Sequence, residues 1–461
     1  MAESRPPRPR RPRRTSPSVL ERINPDAAGI DCGATTHVVA VPPDRDNEPV
    51  QSFRTFTTDL QRLADWLVAC RITSVALEST GVFWIPIYEI LEARGLSVHL
   101  VNARHVRNLP GRKSDVSDAE WLRDLHSVGL LRASFRPTAA IVTLRTYMRH
   151  RHTLVELAAM HVQRMQKALV QMNLQLPFVI SDITGQTGLQ IIRAIVAGER
   201  DPAQLARFRH GRCRATPAEI TAALTGHYRP ELLFALQQNL ELYDACERQI
   251  AECDRVIEAH VRTLTANITP PGPLPAARAA RQRIEPAFDV RAVLHHLTGG
   301  VDLTQIDGIG ASTALKLIAE IGTDMRRWPS AQHFTSWLTL APKNKVSGGK
   351  LLSSQTQPSA NRAASAFRLA AASLGRTQTA LGAFSRRLAA RTGKPQAVTA
   401  TARKLAVLVY HVLKGDFVYR DPGADGYDAQ QRARQLRQLR HRATRLGFAL
   451  VSHETGEVLG G

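Results

Sequence analysis

Between residues 27 and 101 short strand-like runs alternate with helical patterns, and this order constrains the fold more than any other feature of the sequence. The predicted strands are residues 28–31, 37–41, 74–78 and 97–101, and the predicted helices are residues 58–70 and 85–93. A turn of only a few residues joins the first two strands, which predicts a hairpin. Strands separated by helices usually run parallel. We therefore expect an α/β domain whose partly parallel sheet is covered by helices.

Length and composition narrow the class of protein. The 461 residues exceed one ordinary hydrophobic core, which predicts two or three domains. No run of about 18 apolar residues lacks a charge, so no membrane contact is expected. The five cysteines include no Cys-x-x-Cys pair, which favours a reduced, cytoplasmic protein without a structural zinc.

The net charge of +21 is unevenly distributed along the chain. Residues 25–135 carry −3, whereas residues 300–420 carry +12. An excess of this size attracts polyanions, so nucleic acid is the expected partner. Residues 1–24 interleave arginine with proline and are predicted to be a disordered basic arm, either a solvated tail or a nucleic-acid contact.

Two long segments in the middle of the chain repeat apolar residues at spacings of three and four. They are residues 140–175 and 236–264, and both predict long helices with a coiled-coil-like seam. The two helices could pack on each other within one domain, or one could pair with another subunit. Prolines between residues 268 and 286 indicate a linker before the basic domain.

Four carboxylates stand out in the acidic domain: Asp31, Glu78, Asp115 and Asp118. Asp31 and Glu78 lie at the ends of predicted strands, and Asp115 and Asp118, three apart, share one face of a predicted helix. If the strands are neighbours, these acids can converge and hold a pair of Mg²⁺ ions that bridge a scissile phosphate. Taken singly, each acid has an ordinary alternative as a solvated or helix-capping residue.

Basic and glycine-rich turns suggest where nucleic acid is held. Gly308 and Gly310 form a tight turn that opens a helix, either a phosphate-binding turn as in helix-hairpin-helix modules or an ordinary interhelical turn. Further on, Ser347 lies in a glycine-rich loop surrounded by lysines. The candidate phosphate-binding side chains are Arg112, Lys113, Lys343, Lys345 and Lys350.

Five short motifs resemble, in order, the DEDD-type transposases of insertion sequences, family one-ten, which are relatives of the pilin-gene invertases. They are residues 29–33 (Gly-Ile-Asp-Cys-Gly), 77–81 (Leu-Glu-Ser-Thr-Gly), 113–119 (Lys-Ser-Asp-Val-Ser-Asp-Ala), 306–310 (Ile-Asp-Gly-Ile-Gly) and 346–350 (Val-Ser-Gly-Gly-Lys). One departure is Thr339, where the family often has glycine, and this concerns loop geometry more than chemistry.

The resemblance implies a RuvC-like, RNase H-like nuclease domain joined through a coiled coil to a mainly helical transposase domain. It implies that Asp31, Glu78, Asp115 and Asp118 bind two Mg²⁺ ions, for which Mn²⁺ can substitute, and that Ser347 is the nucleophile. The implied partners are element-end and target DNA, a noncoding bridge RNA and further copies in a dimer or tetramer, in the bacterial cytoplasm at the nucleoid. The implied segments are 1–24 (arm), 25–135 (catalytic), 136–267 (helical), 268–299 (linker), 300–420 (transposase) and 421–461 (basic tail).

Three other functions fit parts of the pattern. A structure-selective nuclease such as a junction resolvase would use the four acids with water and would not need Ser347. An ATPase of the actin and sugar-kinase superfold also opens with Gly-Ile-Asp-x-Gly and a hairpin, but Asp115 and Asp118 would then have no role. A non-catalytic nucleic-acid binder would satisfy the charge alone. Ser353 and Ser354 are alternatives to Ser347 as the nucleophile.

Overall fold

The computed structural model describes residues 21–79, 81–102, 115–278, 285–451 and 453, with the side chains of residues 115–117 outside this description. The chain divides into two compact units, Met1–Arg136 and Pro137–Gly461.

The first unit is built on a five-stranded mixed sheet. Its strands are β1 (Ala27–Cys32), β2 (Thr36–Ala40), β3 (Val50–Arg54), β4 (Ser74–Glu78) and β5 (Ser97–Val101), in the order β3-β2-β1-β4-β5. β1 pairs antiparallel with β2 and parallel with β4, and β4 pairs parallel with β5. The predicted hairpin and partly parallel sheet are confirmed. The edge strand β3 was not predicted, because Phe53 is its only buried residue and its sequence has no clear alternation.

Helices cover both faces of this sheet. α1 (Thr57–Ala69) and α2 (Trp84–Ala93) lie on one face, over a core that includes Ile30, Leu63, Leu77 and Leu91. α3 (Asp115–Ser127) lies on the other face, where Leu122 and Leu125 pack against Ala76 and Val101. This arrangement is consistent with an RNase H-like domain.

The second unit begins with a pair of long antiparallel helices. They are α4 (Ala139–Gln171) and α9 (Pro230–Thr265), which pack along each other within the same chain. The helices between them are α5 (Leu176–Val179), α6 (Gln186–Val196), α7 (Pro202–Ala206) and α8 (Pro217–Ala223). Arg151 of α4 forms a buried ion pair with Asp254 of α9, which also accepts a hydrogen bond from the Ala287 backbone N–H at 2.9 Å. The two predicted apolar stripes therefore meet inside one chain.

The rest of the second unit is mainly helical. Its elements are α10 (Val290–Leu297), α11 (Ala311–Ile321), α12 (Ala331–Trp337), β6 (Lys345–Ser347), β7 (Lys350–Ser353), α13 (Arg362–Leu374), α14 (Ala380–Thr392), α15 (Lys394–Lys414) and α16 (Gly423–Arg445), with 3-10 turns at Leu303–Gln305 and Met325–Arg327. Phe334, Phe367 and Tyr410 fill the core, and the Tyr410 hydroxyl donates to the Trp328 carbonyl at 2.9 Å. Among the described residues no helix is long and apolar enough to span a bilayer.

Thr339 follows the end of α12 and has a left-handed backbone, with φ at 56°. The Thr339 N–H donates to the Ser336 carbonyl and the Leu340 N–H donates to the Thr335 carbonyl, which is the Schellman pattern that ends many helices. Glycine is favoured at this position because a Cβ is strained there, and most of all a β-branched one. The structure thus explains why a glycine fits where this chain has Thr339.

We expect Thr339→Gly to stabilise the second unit by about 1 kcal/mol, because the relief of left-handed strain exceeds the extra entropy of glycine in the unfolded chain. Calorimetric unfolding of the full chain measures this. The matched control, Thr399→Gly inside α15, should lower stability, since the backbone there is helical. A Thr339→Gly variant that is less stable than the parent would contradict the claim that the left-handed backbone at Thr339 is strained.

Candidate active site

The carboxyl ends of β1 and β4 bring two of the predicted acids together. Ile30 pairs with Leu77 in the parallel register, so Asp31 and Glu78 occupy the next position on each strand. Side chains alternate between the faces of a strand, and Asp31 and Glu78 therefore share the face of Gly29 and Ala76. That is the face on which α3 packs.

α3 runs across this face in the direction opposite to β1 and β4. A Cβ on Gly29 would lie 2.2 Å from the Ala119 carbonyl oxygen and 2.4 Å from the Arg123 nitrogen, so only glycine permits the approach. At the other end of the helix, Nε2 of His126 is 2.7 Å from Oγ of Ser74, the first residue of β4. The N-terminal turn of α3 therefore lies towards the carboxyl ends of the strands.

The axial lengths of α3 and β4 indicate where Asp118 lies relative to Asp31 and Glu78. His126 and Asp118 are eight residues apart on a helix, about 12 Å along its axis. Ser74 and Glu78 are four residues apart on a strand, about 13 Å. Since His126 contacts Ser74, Asp118 lies at the height of Glu78. Asp118 also shares a helix face with Leu122 and Leu125, which pack on the sheet.

The electrostatic surroundings agree with this placement. Glu78 and Asp118 are buried, at 4% and 8% exposure, and Asp31 is half-buried. Cys32 lies beside these acids on the opposite face of β1. Burial, together with the negative charges of Asp31 and Glu78, raises the pKa of its thiol.

Carboxylate oxygens are the ligands that Mg²⁺ prefers, so this donor set fits a magnesium site in its chemistry. Asp115, three residues before Asp118, begins α3, but its side chain lies outside the described residues. Among the side chains that are described, no three histidines, cysteines or acids are gathered closely enough to hold a metal ion. The four-acid metal site therefore remains a prediction.

The second unit carries the glycine turn. Gly308 has a φ of 83°, and a Cβ on it would lie 3.0 Å from Leu374 of α13. Gly310 is the N-cap of α11, as the sequence predicts. The preceding Asp307 accepts a hydrogen bond from the Tyr419 hydroxyl at 2.9 Å and forms an ion pair with Arg278 at 3.0 Å. Burial raises the pKa of Asp307, although Tyr419 and Arg278 oppose that rise.

Those contacts give the turn a structural role that sequence reasoning missed. Tyr419 and Arg278 lie more than one hundred and about thirty residues away along the chain, respectively, and no local pattern marks them. They hold Asp307 from outside the motif. Phosphate binding by this turn stays a prediction.

Ser347 lies on a small hairpin instead of an irregular loop, which corrects the predicted local structure. It ends β6 and pairs with Lys350, the first residue of β7, across a two-residue turn. Gly348 and Gly349 form that turn with φ values of 54° and 74°, as a type I′ turn requires. Ser347 is exposed, and so are Lys343, Lys345 and Lys350. Ser353 pairs with Lys345 at the other end of β7. The remaining predicted contacts, Arg112 and Lys113, lie outside the described residues.

Transposase family models match segments in both units of the chain. A DEDD transposase model of the IS110 type matches residues 28–174, and a transposase model of the IS116/IS110/IS902 family matches residues 302–385. Together they match half of the chain. No curated protein matches it. The chain belongs to the IS110-type transposases and is a DNA transposase, an enzyme that cleaves and rejoins DNA strands.

The burial of His126 on α3 makes the stability of the first unit sensitive to acid. Burial, and then the charge of the neighbouring His99, lowers the pKa of His126 from 6.5 to about 4. As pH falls from 6.5 towards 4, His126 binds a proton in the unfolded chain but stays neutral in the folded protein. The free energy of unfolding therefore decreases over that pH range. We expect the thermal midpoint to fall less between pH 7 and pH 4.5 in His126→Gln than in the parent.

His150→Gln is the control for this prediction, because His150 is exposed on α4. It should reproduce the parent's pH dependence. An unchanged pH dependence in His126→Gln would show that the imidazole remains free to take up a proton.

Proposed function

We propose that this transposase is a site-specific recombinase of an insertion sequence that exchanges DNA strands through a phosphoserine intermediate. The observation that supports the proposal is that Asp31 and Glu78 end neighbouring parallel strands, on the face of the sheet against which the helix of Asp118 packs. An exposed Ser347 at a glycine turn in the second unit supplies a nucleophile. The first unit is then a RuvC-like catalytic domain.

The proposed metal ligands are Asp31, Glu78, Asp115 and Asp118. Clustered carboxylates repel one another and raise each other's pKa, so the cluster is most stable when a cation neutralises it. Divalent ions bound there, Mg²⁺ or Mn²⁺, would neutralise negative charge on the phosphorus centre and on the leaving oxygen. The buried positions of Glu78 and Asp118 keep the ligands in fixed orientations.

Ser347 suits covalent catalysis because its hydroxyl is exposed and its backbone is fixed. Pairing with Lys350 holds the residue in a strand, and the adjacent glycines add no side chains that would block DNA. Lys345 and Lys350 can hold phosphates on either side. The 300–420 segment, with a charge of +12, offers further attraction for the DNA backbone.

The proposed reaction conserves bond energy in two transfers. The Ser347 oxygen attacks phosphorus, a P–O bond to serine forms, and the bond to the 3′ oxygen breaks, with that oxygen taking up a proton. A 3′-hydroxyl from the exchanged strand then attacks the phosphoserine ester and releases Ser347. Hydrolysis by water would lose the ester, and a recombinase needs it for rejoining.

The guide RNA and the oligomeric state in this proposal are inferred from membership of the family. We infer a noncoding bridge RNA that guides target choice and a dimer or tetramer of the chain on DNA. The first family match covers β1 to the C-terminal end of α4, and the second covers the Gly308 turn and the Ser347 hairpin, so both proposed parts of the machinery lie inside matched segments. The family match does not favour the junction-resolvase, ATPase and non-catalytic alternatives.

The nucleophile is tested by trapping a covalent adduct between the full chain and end-labelled element-end DNA, with the adjacent noncoding RNA and Mg²⁺ present. We expect the adduct with the parent chain, and we expect Ser347→Ala to reduce it by about 10³-fold or more, because the attacking oxygen is removed. Ser353→Ala and Ser354→Ala are matched controls on the same hairpin and should keep the adduct.

An adduct of undiminished yield in Ser347→Ala would remove this serine from the mechanism. Full strand cleavage without any adduct in that variant would favour water as the nucleophile. Loss of the adduct in Ser353→Ala alone would move the nucleophile along the hairpin.

A further inference from the structure

Among the described residues, the contacts that fix the C-terminal helix α16 to the second unit lie in its first turns. Tyr427 is buried, its ring centroid is 6.4 Å from that of Phe384 on α14, and the Ala424 N–H donates to the Gln378 carbonyl at 3.1 Å. The Lys404 ammonium lies 4.6 Å from the Phe384 ring centroid and 5.6 Å from that of Tyr427. These contacts set the direction in which the helix leaves the unit.

Beyond this anchor the helix is exposed and strongly basic. Between Asp428 and Glu454 the sequence contains no acidic residue. Six exposed arginines occupy this part of the helix: Arg432, Arg434, Arg437, Arg440, Arg442 and Arg445. No carboxylate among the described residues forms an ion pair with any of them. Their charges are therefore uncompensated within the described part of the chain.

The arginines point to all sides of the helix. At 100° per residue, Arg434 and Arg445 lie on one side, Arg432 on the opposite side, and Arg440 and Arg442 between them on the two flanks. A narrow apolar stripe also runs along the exposed part, formed by Leu436, Leu439, Ala443 and Leu446. Pairing this stripe with a second copy would bring flanking arginines of the two helices together, which repulsion disfavours.

A helix with cations on every side fits an anion that surrounds it. The major groove of B-form DNA is about 12 Å wide and admits an α-helix between two rows of phosphates. From Arg432 to Arg445 the helix extends about 20 Å, far enough to meet several phosphates of each strand. Arg387 of α14, whose guanidinium donates to Gln431 at 3.3 Å, continues the basic surface towards the body of the unit.

We propose that α16 inserts into the major groove of duplex DNA and holds it through phosphate contacts of its six arginines. This role goes beyond strand exchange, since it needs neither Ser347 nor the acids of the first unit. The helix also lies outside the segments that match the two family models.

The test measures binding of the full chain to a 30-base-pair DNA duplex over a range of salt concentrations. The variant replaces all six arginines by glutamine, a good helix former, so that the helix is retained. Each lost phosphate contact reduces the slope of log Kd against log salt by about 0.9. We expect the slope to become smaller by about 3 or more, and the affinity at 0.1 M salt to fall at least about 100-fold.

Matched variants separate this effect from a general loss of charge. Arg437→Gln with Arg440→Gln should weaken binding more than Arg164→Gln with Lys167→Gln, which removes two exposed cations from α4. Replacing the six arginines by lysine should retain most of the slope, because lysine also contacts phosphate. Circular dichroism and the thermal midpoint confirm that each variant is folded.

Several results would overturn the proposal. One is an unchanged affinity and salt slope in the six-glutamine variant. A second is tighter binding to an RNA duplex of the same sequence, with the loss confined to RNA, which would assign the helix to RNA. A third is a change of oligomeric state in Leu436→Glu with Leu439→Glu while DNA affinity in the six-glutamine variant is unchanged, which would make the helix an interface between copies.

Discussion

The close approach of α3 to β1 is the contact on which the first unit depends. It requires Gly29, since any Cβ there would overlap the backbone at Ala119 and Arg123. A helix laid this closely and antiparallel across β1 and β4 has its N-terminal turn at the carboxyl ends of both strands. Asp118 then lies level with Asp31 and Glu78. Moving α3 away from β1 by the width of one methyl group would leave the strands intact and separate the acids.

In the second unit, strand pairing holds the backbone of Ser347 while its hydroxyl is exposed. The two glycines of a type I′ turn let β6 and β7 pair directly, so Ser347 is fixed by strand pairing while its side chain stays in solvent. Phe334 and Tyr410 belong to the helical core of this unit, whereas the strands of the hairpin are largely exposed. The proposed acidic ligands and the basic, serine-bearing surface thus belong to separate units, as the opposite charges of the two segments suggest.

Much of the fold could be predicted because local patterns decide it. The buried strands β1 and β4 and the long helices α4 and α9 have clear periodicity. The edge strand β3 has no clear periodicity, since Phe53 is its only buried residue. The Ser347 hairpin was missed because its two glycines indicate a turn without indicating paired strands on either side. The pairing of α4 with α9 inside one chain was one of two alternatives, because an apolar stripe alone does not identify the helix that covers it. The acids could be selected from strand ends, but their common height could not, because it depends on how α3 crosses the sheet.

The most direct test of a metal site shared by β1, β4 and α3 is to locate the metal in the first unit. Crystals of the full chain soaked in Mn²⁺ would be measured for anomalous scattering near the manganese edge. We expect one or two peaks about 2.1 Å from carboxylate oxygens of Asp31, Glu78 and the α3 acids Asp115 and Asp118. Peaks that lack any ligand from α3, or no peak at the carboxyl ends of β1 and β4, would contradict this expectation.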